Sequence, residues 1–459
     1  MTIMTTSTPF DFAPLAAVVR GRVATPGDPD WDEQRRAWNL SIDQRPEAVV
    51  RIRDAADAAA VIDFARRRGL RVAPQATGHH AGALGDLTGA VLVRTDELRE
   101  VVVDRESAVV RVGSGVTWGE VSAAIEPFGF AALAGSSPDV GVVGYTLGGG
   151  YSWLARSLGL AASSVTAVEL VTGDGEFRRA TAEQHPELFW ALRGGGGAFG
   201  IVTALEFRVH DVATVVGGMM LFPIERTHEV LTAYAAWTAD VDDSATTSAR
   251  VLRLPPAPEL PAFLRGRAFV GVNGAIVGDD AHAARLLAPL RELGPEVDTF
   301  TRMPTTRLDE VHGDPREPSP SRMGGLALEE LSAEVVDVLV GLVGPDAETP
   351  LLAVDVRHLG GALGRRDARG GVVDALDGAY VLFAVGPAPT AAAIAEVETA
   401  VHRLLAALEP WAAATTYSNF VAEPAASATL FPSDRLARLR AVKASVDPVN
   451  VIRAAHDLT

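Results

Sequence analysis

The sequence predicts an α+β protein of two domains, and three observations predict it. The 459 residues exceed one ordinary domain. Residues 48–73 alternate strand, helix and strand, and from about 213 the strand-like runs suit an antiparallel sheet beside long helices.

Residues 1–30 read as an irregular lead-in, broken by Pro26, Gly27 and Pro29. A strand follows over 48–52. Asp54 then caps a helix over 55–68, with Asp57 at its third position and Gly69 after its end. Val61, Phe64 and Ala65 recur at helical spacing. A second strand begins at 71–73 and runs into Gln75-Ala76-Thr77-Gly78-His79-His80. Strands over 91–94, 101–104 and 109–112 precede a helix over 118–127 that stops near Gly129. Residues 167–171 and 176–179 flank Gly173-Asp174-Gly175, where Asp-Gly supplies the positive φ of a tight hairpin. Residues 188–192 lead into a glycine run, and a strand over 201–209 closes this part. Beyond it, strands at 269–276, 351–356 and 380–385 accompany helices at 281–293 and 391–408. Asp279 and Asp280 start the first of these helices, and 314–320 is a Pro-rich loop. The tail carries a helix over 435–444, stopped by Asp447-Pro448.

Composition excludes several functions. Hydrophobic residues make up 48% and charged residues 22%, which supports a large core. No apolar run reaches the roughly 18–20 residues that span a bilayer, and the start lacks the pattern of a secretory signal. A cytoplasmic protein is expected. The net charge is −17 without a basic stripe, so nucleic acid is not an expected partner. The chain has no cysteine, which excludes disulfides, thiolate metal sites and a thiol nucleophile. The ten histidines show no metal-ligand spacing, so no metal is expected. Lys443 is the single lysine and the single candidate for Schiff-base chemistry. Phe189 and Trp190 read as core, and the pairs Asp242-Asp243 and Asp279-Asp280 as solvated turns and helix starts.

Three glycine-dense loops carry the functional signal: 75–86, GSSPDVGVVGYTLGGG at 135–150 and RGGGGAFG at 193–200. Backbone amides of the first can form an anion nest, and the second leaves bare backbone for a ligand. None is G-x-G-x-x-G, and none is a Walker loop with its lysine. Together they point to a phosphate-bearing ligand such as a dinucleotide.

The motifs then become specific. ATGHHAG at 76–82, PDVGVVGYTLGGGYSWLARSLGL at 138–160, ELFWALRGGGGAFGIVT at 187–203, YSNF at 417–420 and VKASVDPVNVIR at 442–453 occur in order along nearly the whole chain. In this the chain resembles the berberine bridge enzyme-like FAD-linked oxidases of the vanillyl-alcohol oxidase, or p-cresol methylhydroxylase (PCMH), superfamily. The resemblance implies a two-part FAD-binding PCMH-type domain over 30–212, completed by 413–459. Residues 213–412 would form a substrate domain whose antiparallel sheet is covered by helices.

The resemblance also implies FAD joined covalently through its 8α-methyl carbon to His79. The implied cofactor contacts are Gln75, Ala76, Thr77, Gly78, His80 and Leu84 in the first loop. From the second come Ser136, Ser137, Val140, Gly141, Gly144, Tyr145, Thr146, Gly149 and Gly150, and beyond these Ile201, Val202 and Asn419. Many relatives add a cysteinyl tether to flavin C6. Ser137 stands at that position, so this chain takes a single tether at most.

The implied reaction moves hydride from a small organic substrate to flavin N5, with O₂ as acceptor. Amides over 141–144 and Tyr145 are candidates to stabilise charge at the flavin N1–C2=O edge. Several relatives end a Tyr-x-Asn-Tyr motif with a tyrosine base, where this chain has Phe420. Tyr380, Tyr417, Glu423 and His358 are the remaining candidates. Arg250, Arg253, Arg357 and His358 would favour an oxygen-rich substrate. The same scaffold also supports a flavin monooxygenase or oxidative cyclase, and Phe420 raises a catalytically silent flavoprotein as a third reading.

Overall fold

Apolar strands and a capped helix build the first sheet. In the computed structural model, which describes residues 10–258, 260–366 and 370–458, β1 (Val23–Ala24) pairs antiparallel with β2 (Ala48–Arg51). Both β2 and β3 (Arg71–Gln75) pair parallel with β4 (Ala90–Arg94), giving the order β1-β2-β4-β3. Helix α1 (Ala55–Arg68) makes the crossover. Asp54 Oδ1 accepts from the Asp57 amide at 2.9 Å at its start, and Gly69 ends it at φ +67°. Asp57 accepts from the amides of Arg20 (2.7 Å), Gly21 (3.1 Å) and Arg53 (3.0 Å). Those bonds order the lead-in, which holds β1 and a short helix at Ala13–Ala16 rather than irregular chain alone.

The second sheet is antiparallel. It contains β5 (Val101–Asp104), β6 (Val109–Gly113), β7 (Val165–Thr172), β8 (Phe177–Ala180) and β9 (Gly200–Arg208), ordered β5-β6-β9-β7-β8. The Asp-Gly turn sits between β7 and β8, with Gly175 at φ +92°. Helix α2 (Trp118–Ile125) opens on a Thr117/Glu120 capping box. Helices α3 (Val142–Leu147) and α4 (Pro186–Leu192) pack on the same core.

The third sheet is the largest. Strands β10 (Thr214–Pro223), β11 (Ala245–Arg253), β12 (Ala268–Ile276), β13 (Val297–Asp298), β15 (Ser321–Leu328), β16 (Ala353–His358) and β17 (Tyr380–Pro387) run in the order β13-β10-β12-β11-β16-β17-β15. Strand β14 (Thr301–Pro304) pairs β10. Val251, Val272, Val354, Val356 and Leu382 lie on one face, buried under helices α5 (Thr227–Asp240), α6 (Asp280–Arg291), α7 (Ala333–Val343) and α8 (Ala391–Leu408). Side chains alternate along a strand, so Ser248, Arg250, Asn273, Asp355, Arg357 and Phe383 occupy the other face. That face meets the glycine-loop region: Val381 clusters with Tyr151, Leu160 and Tyr417.

The tail returns to the first two sheets through α9 (Ser433–Val446). Lys443 Nζ donates to the carbonyls of Ala198 (2.7 Å) and Ile452 (3.1 Å) and pairs with Asp447. Asp447 also accepts from the amides of Val451 and Ile452. Val72 and its neighbours then bond residues 451–453, extending the first sheet. The single lysine is thus a buried structural pin between the tail and the third glycine loop. Among the described residues no helix is long and apolar enough to cross a membrane.

Candidate active site

The three glycine loops converge because small residues let backbone approach backbone. A Cβ built on Gly141 would sit 3.5 Å from Ala76 Cβ, joining the first and second loops. The amides of Gly194 and Gly196 both donate to the Leu147 carbonyl, at 3.0 and 2.9 Å, and bring in the third. Gly78 takes φ +88° with Ala37 so near that an added Cβ would lie 2.9 Å from it. Gly144 differs: it is exposed and a Cβ there would meet nothing within 4 Å.

His79 is held on several sides. Its ring stacks on Trp38, with centroids 4.2 Å apart and planes at 21°. Nδ1 lies 2.8 Å from Thr77 Oγ1. Nε2 is 3.4 Å from Asp139 Oδ2, which also accepts from Trp38 Nε1. The Trp38 amide donates to the Thr77 carbonyl at 3.0 Å, fixing the stacking partner to the same loop. His80 takes a different part: its Nε2 meets the Val421 carbonyl at 2.7 Å, and burial lowers its pKa.

Buried polar atoms without partners mark this region as built for a ligand. The Gln75 amide, His79 Nε2, Asp139 Oδ1 and Thr146 Oγ1 are buried with no hydrogen-bond partner among the described residues. A buried polar group left unpaired costs on the order of 1–3 kcal/mol, so four in one pair of loops need a polar ligand. They fit the polar edges of a dinucleotide.

The tail motif forms the next wall. Tyr417 Oη accepts from the Tyr151 amide and from Asn419 Nδ2, both at 2.9 Å. Asn419 Nδ2 also donates to the Tyr145 carbonyl at 2.9 Å. Burial pushes the Tyr417 hydroxyl up to about 12, so it stays protonated near neutrality. Tyr145 Oη donates to the Leu133 carbonyl at 3.1 Å while its ring packs edge-on against Trp118. Phe420 lies against Phe383 and Tyr417.

Facing that wall, the third sheet carries a buried charge cluster. Arg250 Nε lies 2.9 Å from Asp355 Oδ1. His312 bridges two carboxylates, with Nε2 3.0 Å from Asp355 Oδ2 and Nδ1 2.6 Å from Asp314 Oδ1. Asp314 also accepts from Ser136 and Ser137, at 2.7 and 2.9 Å. Burial alone would raise the Asp355 carboxyl, but Arg250, His312 and Arg357 hold it well below its ordinary value. Asp314 is likewise held low against burial, by His312, Arg250 and Ser136. The cluster fastens the second glycine loop to the sheet opposite.

Several expected site residues lie elsewhere. Glu423 is exposed at the surface, 3.5 Å from His402 Nε2, so it cannot serve as a buried base. Tyr380 sits on the helix-covered face, its hydroxyl bonded to Thr238, because its register with His358 turns both away from the glycine loops. Arg253 spends its guanidinium on the carbonyls of Val343 and Ala347, beside the end of α7. The side chains of Ile201 and Val202 belong to two neighbouring core clusters and that of Leu84 to a third, so these three have only backbone to offer a cofactor. Asp243 is no merely solvated turn: it pairs with Arg365 and lies 3.7 Å from buried Arg156. Trp38, His312, Asp314 and Asp355 were not singled out from sequence. Asp355 alone carried a usable signal, as a charge between valines in a strand. Among the described residues no group of three or more acidic, histidine or cysteine side chains is arranged to hold a metal ion.

The fold and the three converging glycine loops are those of an FAD-binding protein, and comparison with known proteins agrees. Residues 46–181 match the FAD binding domain family. YvdP of Bacillus subtilis, described as an uncharacterized FAD-linked oxidoreductase, is 31% identical over 310 residues. That alignment covers 66% of this chain and 66% of YvdP, so the chain spans about two thirds of that relative's length. BBE-like 1 of Physcomitrella patens shares the fold with a TM-score of 0.84 at 20% identity, covering 98% of this chain and 99% of its own. The 6-hydroxy-D-nicotine oxidase of Arthrobacter nicotinovorans does so with 0.81 at 23%, covering 96% and 98%. The chain belongs to the FAD-linked oxidoreductases and has the PCMH-type fold of the BBE-like proteins.

Proposed function

We propose that the protein is an oxidase that takes hydride from a small organic substrate, with FAD tethered through His79 and O₂ as final acceptor. Bound FAD supplies the two-electron chemistry; the chain supplies binding, orientation and a shielded site. The observation that carries this reading is His79: stacked on Trp38, with Thr77 at one ring nitrogen and Asp139 near the other. Thr77 can donate to Nδ1 when Nε2 carries the hydrogen, with Asp139 Oδ2 3.4 Å from Nε2. In that tautomer Nδ1 is an electron-pair donor, the state a bond to carbon requires. The Gln75 amide and Thr146 hydroxyl would hold polar cofactor edges, and Gly144 offers bare backbone beside them.

The chemistry favoured is oxidation at a carbon bearing a neutral amine. An alcohol needs a base for its O–H proton. Phe420 cannot be one, Glu423 is at the surface and Tyr380 faces the helices. Tyr417 holds its proton and acts as a donor that orients the substrate. Loss of hydride from a neutral amine needs no such base.

The tether is tested by acid denaturation. Flavin fluorescence should travel with the wild-type polypeptide and leave the His79→Ala polypeptide; free flavin from the wild type would end the tether reading. Turnover is tested with amine, alcohol and polyphenol panels, following flavin bleaching and peroxide. Oxygen incorporated into product would point to a monooxygenase instead, and no bleaching by any donor to a silent scaffold.

A further inference from the structure

The charge cluster on the third sheet has one member left over. Arg250 and His312 are held closely: Arg250 Nε lies 2.9 Å from Asp355 Oδ1 and its Nη1 donates to the His312 carbonyl at 2.8 Å, and His312 lies between two carboxylates. Arg357 is not. Its one polar contact is Nη2 to Asp355 Oδ2, at 3.5 Å, and its Nε is buried without a partner among the described residues. Of the two arginines that share Asp355, at 2.9 and 3.5 Å, Arg357 is held the more loosely.

Its surroundings are aromatic. The guanidinium lies 4.9 Å from the Phe420 ring, 5.6 Å from Tyr151, 5.8 Å from Trp153 and 6.0 Å from Phe383. Trp153 Nε1 is another buried donor without a partner among the described residues. Register adds a third group. Ser248 pairs Asn273 on one side and Arg357 on the other, so Asn273, Ser248 and Arg357 form one row on the face turned to the glycine loops. Asn273 is 0% exposed and neither polar atom of its amide has a partner among the described residues. A loosely held guanidinium ringed by aromatic side chains, an indole N–H and, in the same row, an amide are all more than nine-tenths buried.

We infer that Arg357 is the specificity residue of this cleft, and that the substrate is a planar molecule bearing a carboxylate. A guanidinium presents two parallel N–H groups that match a carboxylate. The aromatic walls favour a flat ring over a bulky saturated one. Asp355 positions the guanidinium at 3.5 Å while sharing its charge with Arg250, which it meets at 2.9 Å. This rests on the substrate cleft of the oxidase reading, and deepens it by naming the class of molecule admitted.

The test uses the holoprotein and needs no turnover. Benzoate, benzamide and cyclohexanecarboxylate are titrated by calorimetry, with the flavin absorption band followed in parallel. Benzoate should bind about 10- to 100-fold more tightly than benzamide, the range of a charge-assisted hydrogen bond in a desolvated site. Cyclohexanecarboxylate should bind more weakly than benzoate. Arg357→Met should abolish the preference for benzoate over benzamide, and Arg357→Lys should retain part of it. Equal binding of benzoate and benzamide to the wild type would overturn the inference, whether or not the variants fold. So would a preference that survives Arg357→Met. Protein that prefers benzoate but bleaches with no donor would overturn the oxidase reading and leave this one standing.

Discussion

Replacing Lys443 with methionine should destabilise the protein by about 3 kcal/mol and leave the chemistry intact. The side chains of Lys443 and Asp447 are 6% and 0% exposed. Removing one partner of a buried pair typically costs about 3–5 kcal/mol, because the other charge stays buried and uncompensated. Asp447 keeps two amide donors, from Val451 at 2.8 Å and Ile452 at 2.9 Å, which sets the cost at the lower end. The carbonyls of Ala198 and Ile452 also lose a donor. Urea unfolding followed by circular dichroism measures the loss, and flavin content reports whether the third glycine loop moves with the tail. Lys443→Met combined with Asp447→Asn should recover part of the stability, since no bare charge remains. A loss under about 1 kcal/mol would refute the buried-pair reasoning. Lost turnover at unchanged stability would refute it differently, by making Lys443 a chemical residue.

Three further outcomes are expected. Gly148→Ala should detach the tail motif and lower flavin content, because the added Cβ would lie 1.8 Å from Asn419 Oδ1; Gly144→Ala meets no protein atom within 4 Å and should lower flavin content while leaving the thermal stability of the flavin-free protein unchanged. Asp54→Ala should cost about 1 kcal/mol in urea melts, the usual value of a helix cap, through loss of its bond to the Asp57 amide. Stability should decline as pH falls below about 6.5, because burial lowers His358 to about 3 and His456 to about 4. The unfolded chain takes up these protons first, so the stabilisation is complete above the unfolded pKa and lost toward the folded values, on the order of 8 kcal/mol in all. A flat profile from pH 7 to 5 would contradict this, and replacing both histidines with glutamine should make it shallower, leaving the part carried by His80 and His210, which burial also lowers. Asp314 and Asp355 act only below about pH 4, where an unfolded aspartate begins to protonate. Their folded values lie lower still, so their contribution is lost on further acidification.

Where a signal is local, the sequence alone determined the structure. Asp54 and Gly69 bound a helix because a cap and a positive φ act on their own backbone, and the observed helix is Ala55–Arg68 as expected. The long helix Ala391–Leu408 and the Asp-Gly hairpin were equally legible. So was the α+β class, and the ordered motifs pointed to FAD. Strands β10, β11 and β15 were not, because Thr246, Thr247, Gly217, Gly218 and Gly325 interrupt their apolar pattern. Tertiary structure decided the rest. Alternation says that Asp355 and Tyr380 lie on opposite faces, but only the packed helices say which face meets the cleft. Arg250, His312, Asp314 and Asp355 come from three separate segments, and an electrostatic cluster exists only once folding removes them together from water. That is why Arg250 and Arg357 could be named as candidates for an oxygen-rich substrate and Asp355 stood out between valines, yet nothing along the chain said which arginine the cluster would hold loosely.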